Sequence, residues 1–254
     1  MSRITVPAIE RVIDILEAFQ ANQRPLSLTE LSEAAGIPKS TCHGIVQTLM
    51  ARGYMYMLTR PRSIYPTRRI YDVARDIVDK DPFIQRAIPL LERLRDATRE
   101  TVILGKRQGD AAIYLQVIEG LHVIRYAAKP GELKPLHSSS IGKALLGSLK
   151  ETDLRTWLKG RQLPAITAAT QTEHEDLVRE LRDSRLAGYF VTRGENMSDV
   201  WAVASSFTFI SNRETLAIAV AGPRNRMEES IEECATALVL TCHLLARQQT
   251  NDTA

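Results

Sequence analysis

Five side chains within nine residues could read a DNA duplex: Lys39, Ser40, Thr41, His43 and Gln47. An ammonium, two hydroxyls, an imidazole and a carboxamide offer donors and acceptors to base edges in a major groove. Lys39, Ser40 and Thr41 stand where a helix would begin, so they could instead hold phosphates through free N–H groups and the positive end of the helix dipole. Both roles stay open. Arg60 and Arg62 are two cations in a turn-forming stretch, suited to backbone or minor-groove contact, or simply to solvent. Ser27 completes the set, standing where the preceding helix begins.

The segment 28–47, LTELSEAAGIPKSTCHGIVQ, is what must position these groups. Apolar Leu31, Ala35, Ile37, Cys42 and Ile45 give each of two short helices one buried face, and small Ser32 lets them cross closely. Gly36 supplies the left-handed corner, and Pro38 suits the first turn of the second helix. Ser27 and Glu30 are spaced as a capping box. The pattern predicts a helix-turn-helix, closed by an amphipathic helix over 8–21 that repeats apolar residues at helical spacing through Ile9, Val12, Ile13, Leu16 and Phe19. Arg52-Gly53 ends the second helix. Residues 54–58 then alternate like a strand, 59–63 form a turn, and Ile64-Tyr65 return, which predicts a basic wing whose tip cluster is Arg60, Arg62, Arg68 and Arg69. Residues 1–80 hold eleven Lys and Arg against eight Asp and Glu, and 81–254 hold twenty-two of each, so the net charge of +3 lies in the first third.

A second set of chemistry-bearing residues is His137 with Ser138, Ser139 and Ser140. Three hydroxyls before a helix start suit a carboxylate, while plain N-capping would explain one of them. Catalytic readings fail on spacing. The run Ile141-Gly142-Lys143-Ala144 resembles the end of a phosphate loop, but position 137 is not Gly and Ala144 cannot ligate magnesium. His137 and the serines lack a nucleophile elbow. His174-Glu175 lacks a second zinc ligand. No catalytic residue, metal or cofactor is expected. Cys42, Cys234 and Cys242 have no ligand spacing and read as packing.

At 254 residues, with 44% apolar and 25% charged residues, the chain suits a globular protein of two modest domains. No run is long and apolar enough to span a bilayer, and the first residues carry no signal-peptide core, so a cytoplasmic protein is expected. A connecting helix is predicted over 70–79. A helix over 83–99, kinked or broken at Pro89, opens the second half. Strands follow at 101–107, 112–118 and 121–128, then helices at 142–149, 152–158 and 173–187. Strands return at 188–193, 201–210 and 215–221, the last two joined by a turn at 211–214, and a helix over 226–248 precedes a polar tail. Closely spaced hairpins mean an antiparallel sheet, so the fold class is α+β with helices flanking the sheet.

Several runs together resemble the IclR (isocitrate lyase regulator) family of bacterial transcription factors: Ser27-Leu28-Thr29-Glu30-Leu31, Gly36-Ile37-Pro38-Lys39-Ser40-Thr41, Pro135-Leu136-His137 with Gly142-Lys143-Ala144-Leu145-Leu146, and Ala219-Val220-Ala221-Gly222-Pro223-Arg224. They keep the family's order and spacing over nearly the whole chain. The resemblance implies a winged helix-turn-helix DNA-binding domain (1–68), a linker helix (69–81) and a GAF-like effector-binding domain (82–250). It implies a homodimer or dimer of dimers on a double-stranded DNA operator, repressing or activating a catabolic operon, with a small carboxylate or aromatic acid as effector and no membrane partner. Carried over, its effector positions are Val123, Tyr126, Lys134, Ser140, Ile141, Thr192, Ala202, Ala219 and Ala221. The alanines imply a roomier, more apolar chamber with Tyr126, Lys134 and Thr192 as polar anchors. Two departures stand out. Gly44 follows His43 where the family commonly has Arg, weakening the helix by about 1 kcal/mol relative to Ala. Residues 199–207 lack the family's Gly and its small-residue-then-Pro pattern. A dimeric sensor acting through protein partners, with DNA binding lost, is the alternative.

Overall fold

A computed structural model describes residues 5–209 and 213–248. The expected turn residues Ser211 and Asn212, Ile210, residues 1–4 and the tail from 249 lie outside the described residues. The chain divides into a unit ending at Asp81 and a second beginning at Pro82. Among the described residues no helix is long and apolar enough to cross a membrane.

The first unit runs α1 (Pro7–Asn22), α2 (Leu28–Ala34), α3 (Lys39–Ala51), β1 (Met55–Thr59), β2 (Arg62–Pro66) and α4 (Arg69–Val78). Ser27 Oγ accepts from the Glu30 N–H at 3.2 Å and Glu30 Oε2 accepts from the Ser27 N–H at 2.8 Å, completing the capping box. Gly36 turns the corner at φ +63°. Ser32 does more than leave room, because its hydroxyl donates across that corner to the Ile37 carbonyl at 2.8 Å. Pro38 is the N-cap of α3 rather than a residue of its first turn. Ile15, Phe19, Leu31, Ile37, Cys42 and Val46 form the core, with Met55 and Ile64 of the hairpin beneath them. Ala35 and Ile45, expected inside, are only half-buried, since Cys42 and Val46 one turn apart already define the inner face of α3.

Strand register pairs Thr59 with Arg62, leaving Arg60-Pro61 at the tip of the hairpin. Arg68 and Arg69 are therefore not tip residues. Strand β2 carries the chain back from the turn, and they stand at the start of α4, over the rings of Tyr71 at 5.3 Å and Tyr54 at 5.0 Å.

The capping box makes a pH prediction. The Ser27 N–H and hydroxyl, with Arg24 beside them, hold the Glu30 carboxyl down from 4.5 to about 2. A lowered folded-state pKa contributes stability above the unfolded value and loses it as pH falls through the folded one. Thermal stability of the first unit is expected to decline between pH 4.5 and about 2, with a shallower decline in Glu30→Ala. An unchanged slope in that variant would remove the capping box as its source.

The second unit runs α5 (Pro82–Thr98), β3 (Thr101–Gln108), β4 (Ala111–Ile118), β5 (Leu133–Pro135), α6 (Ser140–Gly147), α7 (Glu151–Leu158), α8 (His174–Ala187), β6 (Phe190–Arg193), β7 (Val200–Thr208), β8 (Thr215–Pro223) and α9 (Arg224–Gln248). The six strands form one antiparallel sheet in the order β5-β4-β3-β8-β7-β6. Both faces are covered, and β8 shows how. Leu216, Ile218 and Val220 face α5 and α9, while Ala217, Ala219 and Ala221 face α6, α7 and α8. Small residues on that face let α6 sit close. Gly142 serves the same approach, because a Cβ there would lie 2.4 Å from the Leu136 carbonyl oxygen. All three cysteines are buried, and burial pushes the Cys242 thiol up to about 12.

Two expectations fail here. Helix α5 runs through Pro89 unbroken. Pro89 and Gln85 are on the exposed side, where the Gln85 carbonyl that loses its intrahelical donor is open to water. The expected strand at 121–128 is irregular, and the sheet instead continues through β5. Its backbone groups are taken elsewhere: the Leu121 N–H donates to Arg99 O at 2.9 Å, Arg226 donates to Ile124 O at 2.9 Å, and the Thr101 hydroxyl donates to Tyr126 O at 2.6 Å.

Candidate functional site

In the first unit, Lys39, Ser40, His43 and Gln47 are exposed on α3, and Thr41 is half-buried. Pro38 provides no side-chain cap, so the first N–H groups of α3 are free of a capping oxygen. Arg62 shares with Lys39, His43 and Gln47 a groove of about 330 Å³ between α3 and the hairpin. Arg60 is exposed at the tip, and among the described residues neither Arg60 nor Arg62 is paired with a carboxylate. The Ser27 oxygen borders the same groove but serves the capping box, and Lys39 donates to the Thr29 hydroxyl at 2.7 Å. The arrangement presents cations, a free helix start and the exposed polar side chains His43 and Gln47 on one side of the unit.

Gly44 lies on this exposed face, and a Cβ there would meet nothing within 4 Å. Replacing it with Ala is expected to stabilise the first unit by about 0.5–1 kcal/mol through backbone entropy alone. Thermal unfolding reads this directly, and a fall in Tm would mean that the helix needs Gly for a reason other than space.

In the second unit, a cavity of about 30 Å³ opens between the sheet and the start of α6. Strands supply Ile103, Tyr114, Thr192, Val200, Ala202 and Ala221, the start of α6 supplies Ser139 and Ser140, and loops supply Tyr126, Asn196 and Met197. Six of the ten expected effector residues therefore meet: Tyr126, Ser139, Ser140, Thr192, Ala202 and Ala221. The other four do not line it. Val123 is 94% exposed. Ile141 and Ala219 are fully within the core, and Lys134 lines a separate cleft beside Trp157.

Nor is the chamber roomy or chiefly apolar. Its volume suits about two waters, and six of its eleven lining residues carry a hydroxyl or carboxamide. Tyr114, Asn196 and Met197 fill space that the alanines leave. Tyr114 was legible only as one of a strand's alternating residues. Asn196 and Met197 come from a loop that carries no local signal.

The serines divide their work. Ser139 caps α6, its oxygen accepting from the Gly142 N–H at 3.2 Å while its hydroxyl donates to Pro135 O at 2.6 Å. Ser138 donates to Asn196 Oδ1 at 3.5 Å. The Ser140 hydroxyl, and the N–H groups of Ser140 and Ile141, have no partner among the described residues. Ser140 is only 7% exposed and lines the cavity. A hydroxyl open to a cavity, beside helix-start N–H groups without partners among the described residues, is an anion receptor in form. Burial, with the Tyr126 phenol beside it, raises the Tyr114 pKa and keeps that hydroxyl protonated as a donor.

Lys143 is not a phosphate ligand. Its side chain is 1% exposed, and Nζ stands 2.5 Å from Glu180 Oε1 and 2.5 Å from Glu195 Oε2. This ties α6 to α8 and to the loop bearing Asn196 and Met197. Burial pushes the Glu195 carboxyl up against the opposing pull of Lys143. Hydroxyls of Thr167 and Thr170 hold the same loop, each donating at 2.7 Å to the carbonyls of Gly194 and Glu195. His137 bonds to Pro164 O at 2.9 Å rather than to a serine, and burial lowers its pKa. His174 bonds to Arg161 O at 3.0 Å. Among the described residues no group of three or more His, Cys, Asp or Glu converges as a metal site.

The IclR helix-turn-helix domain family matches residues 8–56, and the bacterial transcriptional regulator IclR C-terminal family matches residues 76–246. The chain is 30% identical over 225 residues to the HTH-type transcriptional regulator BhcR of Paracoccus denitrificans, covering 89% of this chain and 80% of BhcR. The crystal structure of Thermotoga maritima IclR superposes with a TM-score of 0.81 at 23% identity, covering 95% of this chain and 98% of that one. An IclR homologue from Microbacterium hydrocarbonoxydans, complexed with 4-hydroxybenzoate, superposes with a TM-score of 0.74 at 20% identity, covering 95% and 99%. The matched relatives are transcriptional regulators rather than enzymes. With the two profiles falling in chain order on a winged DNA-reading unit and a sheet with its own cavity, the chain belongs to the IclR family of bacterial transcriptional regulators.

Proposed function

We propose that this regulator controls a catabolic operon in the cytoplasm by binding double-stranded operator DNA and answering to a small carboxylate held in the cavity of the second unit. The observation that carries the effector half is the Ser140 hydroxyl beside two helix-start N–H groups, all without a partner among the described residues, facing a cavity with no charged lining residue. Tyr126, Ser139, Thr192, Ala202 and Ala221 would form its walls. The 4-hydroxybenzoate bound by the Microbacterium homologue supports an acid as the ligand class, while the small volume favours an acid of few atoms. Lys39, Ser40, Thr41, His43 and Gln47 would meet bases or phosphates, with Arg60 and Arg62 on the DNA backbone or in the minor groove. Ser27 would act by fixing the start of α2.

The working form is a homodimer or a dimer of dimers. Helix α4 buries none of its residues and exposes Tyr71, Val73, Ile77 and Val78, and α1 exposes Ile9 and Ile13. Apolar faces of this kind suit a second copy of the chain.

The test is a gel shift of the gene's own promoter fragment across a salt series, with and without small carboxylic acids. A shift that weakens steeply with salt and responds to an acid is expected. No shift, with thermal stabilisation by an acid retained, would favour a sensor acting through protein partners instead.

A further inference from the structure

Of the eleven residues that line the cavity of the second unit, eight are buried, Asn196 and Val200 are half-buried, and Met197 is 47% exposed. A side chain that borders an enclosed space while nearly half exposed to solvent stands at its mouth. The way in is therefore on the side of residues 194–199, the loop that joins β6 to β7. Val200 packs against the buried cluster on that face of the sheet, whereas Met197 belongs to no buried cluster among the described residues.

The backbone of this loop is held on both sides of Met197. The Gly194 N–H donates to Val200 O at 3.2 Å, the Val200 N–H to Met197 O at 3.1 Å, and the Arg224 N–H to Asp199 O at 2.8 Å. The hydroxyls of Thr167 and Thr170 hold Gly194 and Glu195, Lys143 holds the Glu195 carboxylate, and Ser138 donates to the Asn196 carboxamide. What is left to move is the Met197 side chain, unbranched and turning about three bonds. It can swing clear without giving up a hydrogen bond or a place in the core. The size of the cavity turns on it, because the enclosed space of about 30 Å³ suits only about two waters while Met197 borders it.

We propose that Met197 is the specificity-determining residue of the cavity: its side chain plugs the mouth and sets the size of acid that fits, admitting a short aliphatic carboxylate and turning away an aromatic one. This rests on the carboxylate reading of the same site and adds to it the residue that sizes the ligand. Because the surrounding backbone is tied down, the limit comes from one side chain and not from movement of the loop.

Propionate and benzoate test it, carrying the same charged group on bodies of different size. Calorimetric titration of the full chain is expected to show propionate bound about tenfold more tightly than benzoate, or better. Met197→Ala is expected to tighten benzoate about tenfold while leaving propionate within about threefold, and Met197→Leu, which keeps the volume, to keep the preference. Met197→Ser carries the same comparison should Met197→Ala unfold. An unchanged ratio of the two affinities in Met197→Ala, an equal gain for both acids, or benzoate bound as tightly as propionate by the unsubstituted chain would overturn the proposal. If neither the unsubstituted chain nor Met197→Ala binds either acid, the carboxylate reading fails, and this proposal with it.

Discussion

Replacing Lys143 with Met is expected to destabilise the second unit by about 3–5 kcal/mol, the usual cost of stranding a buried charge. In a unit of this size that is a fall in Tm of roughly 10 °C. Glu180 is one-third exposed and can turn to water, so its part is screened. Glu195 cannot: its side chain is 11% exposed, within the loop that walls the cavity. Burial already raises its carboxyl with Lys143 present, and removing the ammonium raises it further.

The sign of the pH dependence follows. A raised folded-state pKa gives stability that is complete below the unfolded value and is lost as pH rises through the folded one. The deficit of Lys143→Met is therefore expected to be smallest near pH 4 and to grow toward neutrality, beginning above the ordinary carboxylate pKa of 4.5, where the already raised carboxyl of the unsubstituted chain ionises. Adding Glu195→Gln removes the stranded charge and is expected to restore much of the loss. Thermal unfolding of both variants across pH checks this. A deficit independent of pH, with no recovery in the double variant, would mean that Lys143 matters for its packed stem and not for its charge.

The second large effect concerns DNA. Gln47→Ala and His43→Ala are expected to cost about 1–3 kcal/mol on the preferred operator, roughly 10- to 100-fold in affinity, and to relax preference at single base pairs. Arg60→Ala and Arg62→Ala are expected to weaken binding to all sequences alike and to lower the slope of log affinity against log salt by about 1 each. The geometry motivates the split: His43 and Gln47 project from the exposed face of α3, whereas Arg60 and Arg62 are cations on the hairpin beside it with no carboxylate partner among the described residues. Binding measured over several salt concentrations with operator and scrambled duplexes separates the two classes. Arginine variants that alter base preference while keeping the salt slope would reverse the assignment.

Much of the fold was legible because its signals are local. The Ser27–Glu30 box, the Gly36 corner and the 3.6-residue spacing each act within one turn of chain, and their elements form where they were expected. The cavity of the second unit was half legible. Ser139 and Ser140 stood out by their place before a helix start, whereas Tyr126, Thr192, Ala202 and Ala221 were named only through the resemblance. Val123, Lys134, Ile141 and Ala219 do not line it, because lining a cavity depends on neighbours far along the chain.

The sequence by itself determined the helix-turn-helix, its wing, the antiparallel character of the sheet and which polar side chains α3 exposes, since each follows from dihedral preference or apolar periodicity over a few residues. Only the tertiary structure decided that residues 121–128 leave the sheet, that Lys143 is buried between two carboxylates, and that a cavity bordered by alanines is small. Those outcomes turn on partners some 25 to 126 residues apart, such as Thr101 with Tyr126 and Glu100 with Arg226. Long-range hydrogen bonds and buried charge outweigh local strand propensity when they claim the same backbone groups.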